Sequence, residues 1–388
     1  MYDTIIVGAG FAGTVLAERL ASQLDQRVLI IEKRRHIGGN CYDYYDEQGI
    51  LVHQYGPHLF HTSNPDVFSY LGQFTEWLNY HHQVLAVIDG QQVPVPFNLN
   101  TTKQLMPDSL SASLEKKLID RYGYDVKVPI LELREIDDPD LKYLADYIYN
   151  KMFVNYTAKQ WNCKPEEIAA EVTARVPVFI SKDNRYFQDS YQAIPKFGYT
   201  RLFDKLLAHP NISLMLNTDY KDLLQVDFNS KQCRLFGQPF EGEVIYTGLI
   251  DELFGYQFGE LPYRSLRFQF ENHRQTYYQA ATTVNYPNDY DYTRITEFKR
   301  ISQQQSDTTT IVKEFPQDYA RQDPEREVPY YPVFTDENQK KYDQYLAYSQ
   351  AFKQILLVGR LAEYRYYDMD DIVARALEVF QRLQTEAS

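Results

Sequence analysis

Three glycines, Gly8, Gly10 and Gly13, follow one another as G-x-G-x-x-G, and a carboxylate comes nineteen positions later at Glu32. Those residue types at that spacing suit a dinucleotide. Gly8 permits a tight turn, Gly10 lets a pyrophosphate approach the backbone, Gly13 lets a helix pack closely, and Glu32 accepts hydrogen bonds from a ribose diol. The phosphates would lie at a helix N-terminus, where free N–H groups and the dipole favour anions. Lys33, Arg34 and Arg35 follow directly; because Glu32 would repel a 2′-phosphate, the basic run reads mainly as a solvated edge.

These groups need a strand, a turn and a helix to hold them. Tyr2 to Val7 is an apolar strand, Val15 to Leu20 reads as a helix, and Arg27 to Ile31 is a second strand ending on Glu32. The pair Gly38-Gly39 then lets the chain turn back across an extended cofactor, which resembles the FAD-binding fold of the glutathione-reductase and amine-oxidase type. A late strand, Ile355 to Val358, with Gly359 and a helix from Asp370, closes the same layer. The expectation is an α/β chain: a discontinuous Rossmann-like FAD-binding domain from 1–80 with about 200–250 and 345–388. Leu110, Leu114 and Leu118, then Leu141, Leu144, Ala145, Ile148 and Met152, predict an inserted helical domain over 102–170. Leu266, Phe268 and Phe270 alternate with polar residues, and Thr309 to Phe315 is similar. They predict an antiparallel β-sheet domain from 81–101 with about 171–199 and 251–344, in which Ser302 to Thr310 is a hairpin tip.

Composition excludes several classes. A net charge of −13 over 388 residues opposes nucleic-acid or anionic-membrane binding through the overall field. No apolar run approaches the ~18 residues of a membrane span, and the chain starts on a folding strand without a leader pattern, so a cytoplasmic protein is expected. Cys41, Cys163 and Cys233 are too scattered for a disulfide framework or a zinc site. His53, His58 and His61 lack the H-E-x-x-H spacing and a nearby acid, so no metal is expected. There are 34 tyrosines, whose flat faces and hydroxyls suit bases, sugars and phosphates where arginines stand beside them.

Several segments, in order along the whole chain, resemble the bacterial UDP-galactopyranose mutases. They include His36 to Asn40, Gly56-Pro57-His58-Leu59-Phe60-His61, Tyr156-Thr157-Ala158-Lys159-Gln160-Trp161 and Arg175-Val176-Pro177. Pro195 to Thr200, Tyr292 to Glu297, Pro329 to Pro332 and Gly359 to Asp370 complete the series. The resemblance implies a flavin-dependent isomerase interconverting UDP-galactopyranose and UDP-galactofuranose, active with reduced FAD, through a covalent adduct of flavin N5 with the sugar anomeric carbon. It also implies a homodimer, with UDP-galactose as the small-molecule partner and the external reductant unspecified.

By the same resemblance Arg175 and Arg294 clamp the diphosphate, helped by hydroxyls of Tyr186, Tyr331 and Tyr366. Tyr156 and Trp161 hold the uracil, and His82, Met152, Thr157 and Asn285 complete the substrate contacts. Glu32, Lys33, Asn40, His58, Leu59, Arg360, Asp368 and Met369 join Gly8, Gly10, Ala12 and Gly13 around the cofactor. The implied catalytic set is Arg175, Arg294, Tyr331, Tyr366, Asp368 and His58. Asn162, Phe179 and His82 depart from residues common in these mutases, which touches loop shape and substrate contacts more than the clamp. Two other readings share part of this pattern: a flavin oxidoreductase of the amine-oxidase class, and a nucleotide-sugar binder without turnover. An oxidase needs an apolar amine or alkene pocket and no diphosphate clamp.

Overall fold

In a computed structural model, which describes residues 2–161, 177–323, 326 and 328–387, the strand before the first glycine, Thr4–Val7, lies at the centre of a five-stranded sheet. The spatial order is Ile212–Met215, Val28–Ile31, Thr4–Val7, Glu243–Tyr246, Ile355–Leu357, and every pairing is parallel. The central strands Thr4–Val7 and Val28–Ile31 are buried along their whole length, which is why they read as nearly unbroken apolar runs. Ile6, Val28, Ile30 and Ile245 pack under the first helix, Phe11–Leu24, and the last, Met369–Ala387. Ile5, Val7, Leu29 and Ile31 pack on the opposite side with Tyr246, Leu253 and Tyr345. This is the Rossmann-like layer that the glycines and apolar strands predict.

A seven-stranded sheet forms the second layer, in the order Tyr331–Pro332, Tyr263–His273, Thr309–Asp318, Arg294–Glu297, Thr283–Asn285, Val84–Ile88, Gln91–Val95. Its pairings are antiparallel except that of Thr283–Asn285 with Val84–Ile88. The hairpin at its edge shares an apolar core with the helices Asp108–Tyr122 and Pro139–Ile148. Leu114, Leu118, Leu141, Leu144, Ala145 and Ile148 are all buried there, the face that their spacing predicts. Asp138 caps the second of these helices by accepting from the N–H groups of Asp140 and Leu141. A π-helical turn, Tyr149–Phe153, then leads into the helix Val154–Trp161. Such a turn inserts an extra residue and rotates the face that the following helix presents.

Ser302 to Thr310 does fall in a hairpin connection, since the consecutive strands Arg294–Glu297 and Thr309–Asp318 pair antiparallel; a short helix, Phe298–Ser302, with Phe298 and Ile301 buried, precedes the polar run. Two segments differ from expectation. The described part of the 171–199 stretch, from 177 on, does not join the seven-stranded sheet: Tyr191–Pro195 pairs with Phe60–Thr62 and Trp77–Asn79, and Val178–Ile180 pairs with Val126–Val128. The segment Leu224–Phe240 forms its own three-stranded antiparallel sheet. Among the described residues no helix is long and apolar enough to cross a membrane.

The glycine fingerprint is held by contact as well as by conformation. A Cβ on Gly13 would lie 2.1 Å from the Gly8 carbonyl oxygen and 2.9 Å from Ile6 Cγ2, so helix and strand touch with no room for a side chain. Gly13→Ala is expected to destabilise the protein by about 2–3 kcal/mol, read as a lower urea midpoint; an unchanged midpoint would contradict this packing.

Candidate active site

The first helix starts where the central strand ends, and the loop between them forms one wall of a cavity of about 280 Å³. Gly8, with φ +106°, sits under Thr247, whose Oγ1 would be 2.2 Å from an added Cβ. Gly38-Gly39 folds back over this loop: Gly38 N–H donates to Ala9 O at 2.8 Å, and a Cβ on Gly39 would lie 3.0 Å from Gly10 Cα. Glu32 ties the same loop to the second strand, accepting from Ala9 N–H at 2.8 Å and Arg34 N–H at 2.9 Å. The result is a cradle of backbone at a helix N-terminus, the geometry that receives a phosphate.

Gly8, Gly10, Ala12, Glu32, Lys33, Asn40, His58, Arg360 and Met369 line this cavity. Gly13 does not; its part is the packing just described. Arg34, in a basic run expected mainly at a solvated edge, is instead half-buried and lines the cavity, with its guanidinium 4.4 Å from the Tyr55 ring centroid and Nη2 donating to Asn40 Oδ1 at 3.0 Å. Its Nη1 is buried without a partner among the described residues. An orphaned cationic donor beside a backbone cradle fits an extended, anionic dinucleotide. Thr218, Thr247 and Gly359, each just beyond a parallel strand, line the cavity too. The rule that ligands bind beyond the carboxyl ends of parallel strands marks those positions once the strands are known.

A second cavity, of about 220 Å³, adjoins the first, and His58, Tyr330, Arg360 and Met369 line both. Sheet register builds its floor. Asn285 pairs with Arg294 and Arg294 with Glu314, so the three side chains stand in a row on one face. Arg294 Nε lies 2.7 Å from Glu314 Oε1, and that carboxylate is 1% exposed. Burial works against the arginine's charge, but Glu314 and the nearby phenols outweigh it and raise its pKa above the ordinary value. The approach lacks hydrogen-bond alignment: Arg294 Nε and Glu314 Oε1 are each buried without a hydrogen bond among the described residues. Asn285 Oδ1 in the same row is also buried without a partner.

Tyr331 and Tyr366 stack beside this row, 5.7 Å between centroids and 4° between planes. The Arg360 guanidinium lies 5.1 Å from the Tyr366 centroid and donates to the carbonyls of Tyr330 and Tyr367. No carboxylate pairs with it among the described residues. Tyr156, with its hydroxyl pushed up to about 12 mainly by burial, and Tyr186 line the cavity as well. Leu59 and Asp368, expected at the cofactor, line this second cavity instead of the first. Asp368 also starts the last helix, its carbonyl accepting from Ile372 N–H and its N–H donating to Asp371 Oδ2.

Met152 and Thr157 are buried and line neither cavity; Met152 lies in the core of the helical segment. The spacing that put Met152 on the apolar helix face already pointed there. Arg175 lies outside the described residues, as do Asn162, Cys163 and the side chain of Trp161. Phe179 is buried in Val178–Ile180. His61 and Phe187, absent from the expected set, also line the second cavity, their rings stacked 3.6 Å apart between centroids.

Three histidines around this site are held neutral. His53, His58 and His82 have pKa values lowered to about 4, about 3 and about 3, chiefly by burial. His58 Nδ1 lies 2.9 Å from Gly56 O, which requires a donor, so its Nε2 carries the lone pair. His53 and His82 are 3% and 5% exposed. A histidine of the unfolded chain protonates near ~6.5, so acidification through that value loads the unfolded state first. Stability is expected to fall from roughly pH 6.5 towards 4 by up to about 1.4 kcal/mol per pH unit for each of His53 and His82. Urea melts at successive pH values check this, and His53→Phe should flatten the slope; an equal slope in that variant would contradict it.

The comparisons agree with this geometry. Residues 151–366 match the family model described as UDP-galactopyranose mutase, and residues 6–74 match one described as an NAD(P)-binding Rossmann-like domain. A probable UDP-galactopyranose mutase of Klebsiella pneumoniae is 36% identical over 97% of this chain and 93% of its own. A dTDP-fucopyranose mutase of Escherichia coli is 35% identical over 98% of both chains. The crystal structure of a reduced UDP-galactopyranose mutase is similar in fold, with a TM-score of 0.74 at 14% identity, covering 99% of this chain and 94% of that one. With a family model that matches more than half of its length and a near full-length match at this identity, the chain belongs to the UDP-galactopyranose mutase family.

Proposed function

We propose that the protein interconverts UDP-galactopyranose and UDP-galactofuranose with FAD held in its reduced form. The observation that carries this reading is the juxtaposition of the two cavities. One is walled by glycine backbone with the orphaned Arg34 Nη1, the other is floored by Arg294, and they meet at His58, Tyr330, Arg360 and Met369. In this reading FAD occupies the first, with its diphosphate on the Gly8–Gly13 loop and its adenosine ribose at Glu32. The parallel layer thus carries the cofactor, and the seven-stranded sheet with the helical segment carries the nucleotide sugar. The working form is a cytoplasmic homodimer.

Bound and reduced, the flavin supplies a nucleophilic nitrogen to the anomeric carbon. The chain supplies the rest. Arg294 offers its two terminal nitrogens to the diphosphate, and Tyr331, Tyr366 and Tyr186 add hydroxyl donors, so negative charge developing on departing UDP meets preorganised partners. Arg175 is the second arginine of the clamp, and Tyr156 with Trp161 takes the uracil. Holding UDP throughout makes its return to the sugar effectively unimolecular. Arg360 brings a cation to the junction, where a reduced, anionic flavin ring needs one. His58, with its lone pair on Nε2 and a pKa of about 3, accepts a hydrogen bond there and does not store a proton.

The test is anaerobic. Reduced protein is expected to convert UDP-galactofuranose to UDP-galactopyranose, and oxidised protein is not. Arg294→Lys keeps a charge beside Glu314 but removes the fork, and is expected to lower kcat/KM on the order of 10–100-fold. Oxygen consumption with an amine and no isomerisation would overturn the reading in favour of an oxidase. Faster turnover of dTDP-fucopyranose than of UDP-galactopyranose would move the substrate to that nucleotide sugar.

A further inference from the structure

His82 lies at the wall of the second cavity, on the loop before the strand Val84–Ile88, and its ring is tied from behind. Nδ1 is 3.0 Å from the hydroxyl of Tyr80, and that hydroxyl donates to Thr282 Oγ1 at 2.8 Å. A phenol has one proton to give. Since Tyr80 gives it to Thr282, its oxygen can only accept from His82, which places the imidazole proton on Nδ1. Tyr80 and Thr282 are each 8% exposed, so water does not compete for this chain. Nε2 is left as the acceptor, and it has no hydrogen bond among the described residues. The His82 ring is braced in place by Tyr186, edge-on at 5.6 Å between centroids, and by Phe187 at 6.0 Å.

Resting on the functional reading above, we propose that Tyr80 and Thr282 are positioning residues that lock His82 in the Nδ1–H tautomer, so that Nε2 accepts a hydrogen bond from one hydroxyl of the sugar and selects it over the deoxy counterpart. The locked histidine presents an acceptor alone, and its neutrality over the physiological range follows from burial beside Arg294 and His61. A sugar that lacks the hydroxyl leaves this acceptor desolvated and unpaired, which is the source of discrimination.

The experiment measures kcat/KM of the reduced protein on UDP-galactopyranose and on its 2-, 3- and 6-deoxy analogues, for wild type, His82→Leu, His82→Asn and Tyr80→Phe. Wild type is expected to discriminate against one analogue by about 10–100-fold more than against the others. His82→Leu should lose rate on UDP-galactopyranose by the same factor, collapsing that one preference and leaving the others. His82→Asn, which keeps a carbonyl acceptor, should retain most of it. Tyr80→Phe, which frees Nδ1, should weaken the same preference without changing UDP affinity. Wild type turning over all four substrates with no single outlier would overturn the proposal whatever the variants do. So would a His82→Leu variant whose rates fall equally on all four. Wild type that fails to isomerise UDP-galactopyranose itself would instead sink the functional reading, and this proposal with it.

Discussion

A guanidinium and a carboxylate 2.7 Å apart within a sheet, Arg294 and Glu314, set the terms for everything around them. Neither ion tolerates burial alone; removing one partner of such a pair costs about 3–5 kcal/mol because the other is stranded. The pair therefore fixes which face of the seven-stranded sheet is polar. Once that face is chosen, the place of Asn285 beside Arg294 follows from register, and the stacked Tyr331 and Tyr366 line the same cavity. The pair is also neutral as a whole and poorly aligned, with Arg294 Nε and Glu314 Oε1 each buried without a hydrogen bond among the described residues. An anion arriving there adds charge that the pair does not cancel. Arg360, held by carbonyls at the junction, is the nearby cation without a carboxylate among the described residues.

The second constraint is distance between chemistries. A cavity walled by the glycine loop of a parallel sheet and a cavity floored by an antiparallel one share His58, Tyr330, Arg360 and Met369. Arg360 follows the last parallel strand directly, while Tyr330 and Tyr331 sit at the edge of the other sheet. Their contact, through the Tyr330 carbonyl and the stacked tyrosines, joins the two layers where the cavities meet. Neutral histidines around it keep the charge balance independent of mild pH change.

Much of this was legible in the sequence, for definite reasons. The glycines, the apolar strands and Glu32 report a local geometry that is encoded within about thirty residues. Alternation at Leu266, Phe268 and Phe270 reports a half-buried strand, and the leucine spacing reports the buried helix face. The expected placement of His82, Tyr156, Tyr186, Asn285, Arg294, Tyr331 and Tyr366 around one cavity came from motif resemblance, because their separation along the chain hides their proximity. What stayed hidden depends on tertiary contact. Arg34 reads as one of three basic residues, and only the fold turns it inward against Tyr55 and Asn40. Tyr80 and Thr282 are two hundred positions apart and meet through a phenol proton. The π turn at Tyr149–Phe153 and the pairing of Val126–Val128 with Val178–Ile180 carry no composition signal.

The most direct measurement is a crystal structure of the reduced protein with FAD and UDP. The account predicts the flavin along the Gly8–Gly13 loop, its ring ending at His58 and Arg360, and the UDP diphosphate within hydrogen-bond distance of the terminal nitrogens of Arg294. UDP bound elsewhere, or a flavin whose ring does not reach the junction of the two cavities, would contradict it.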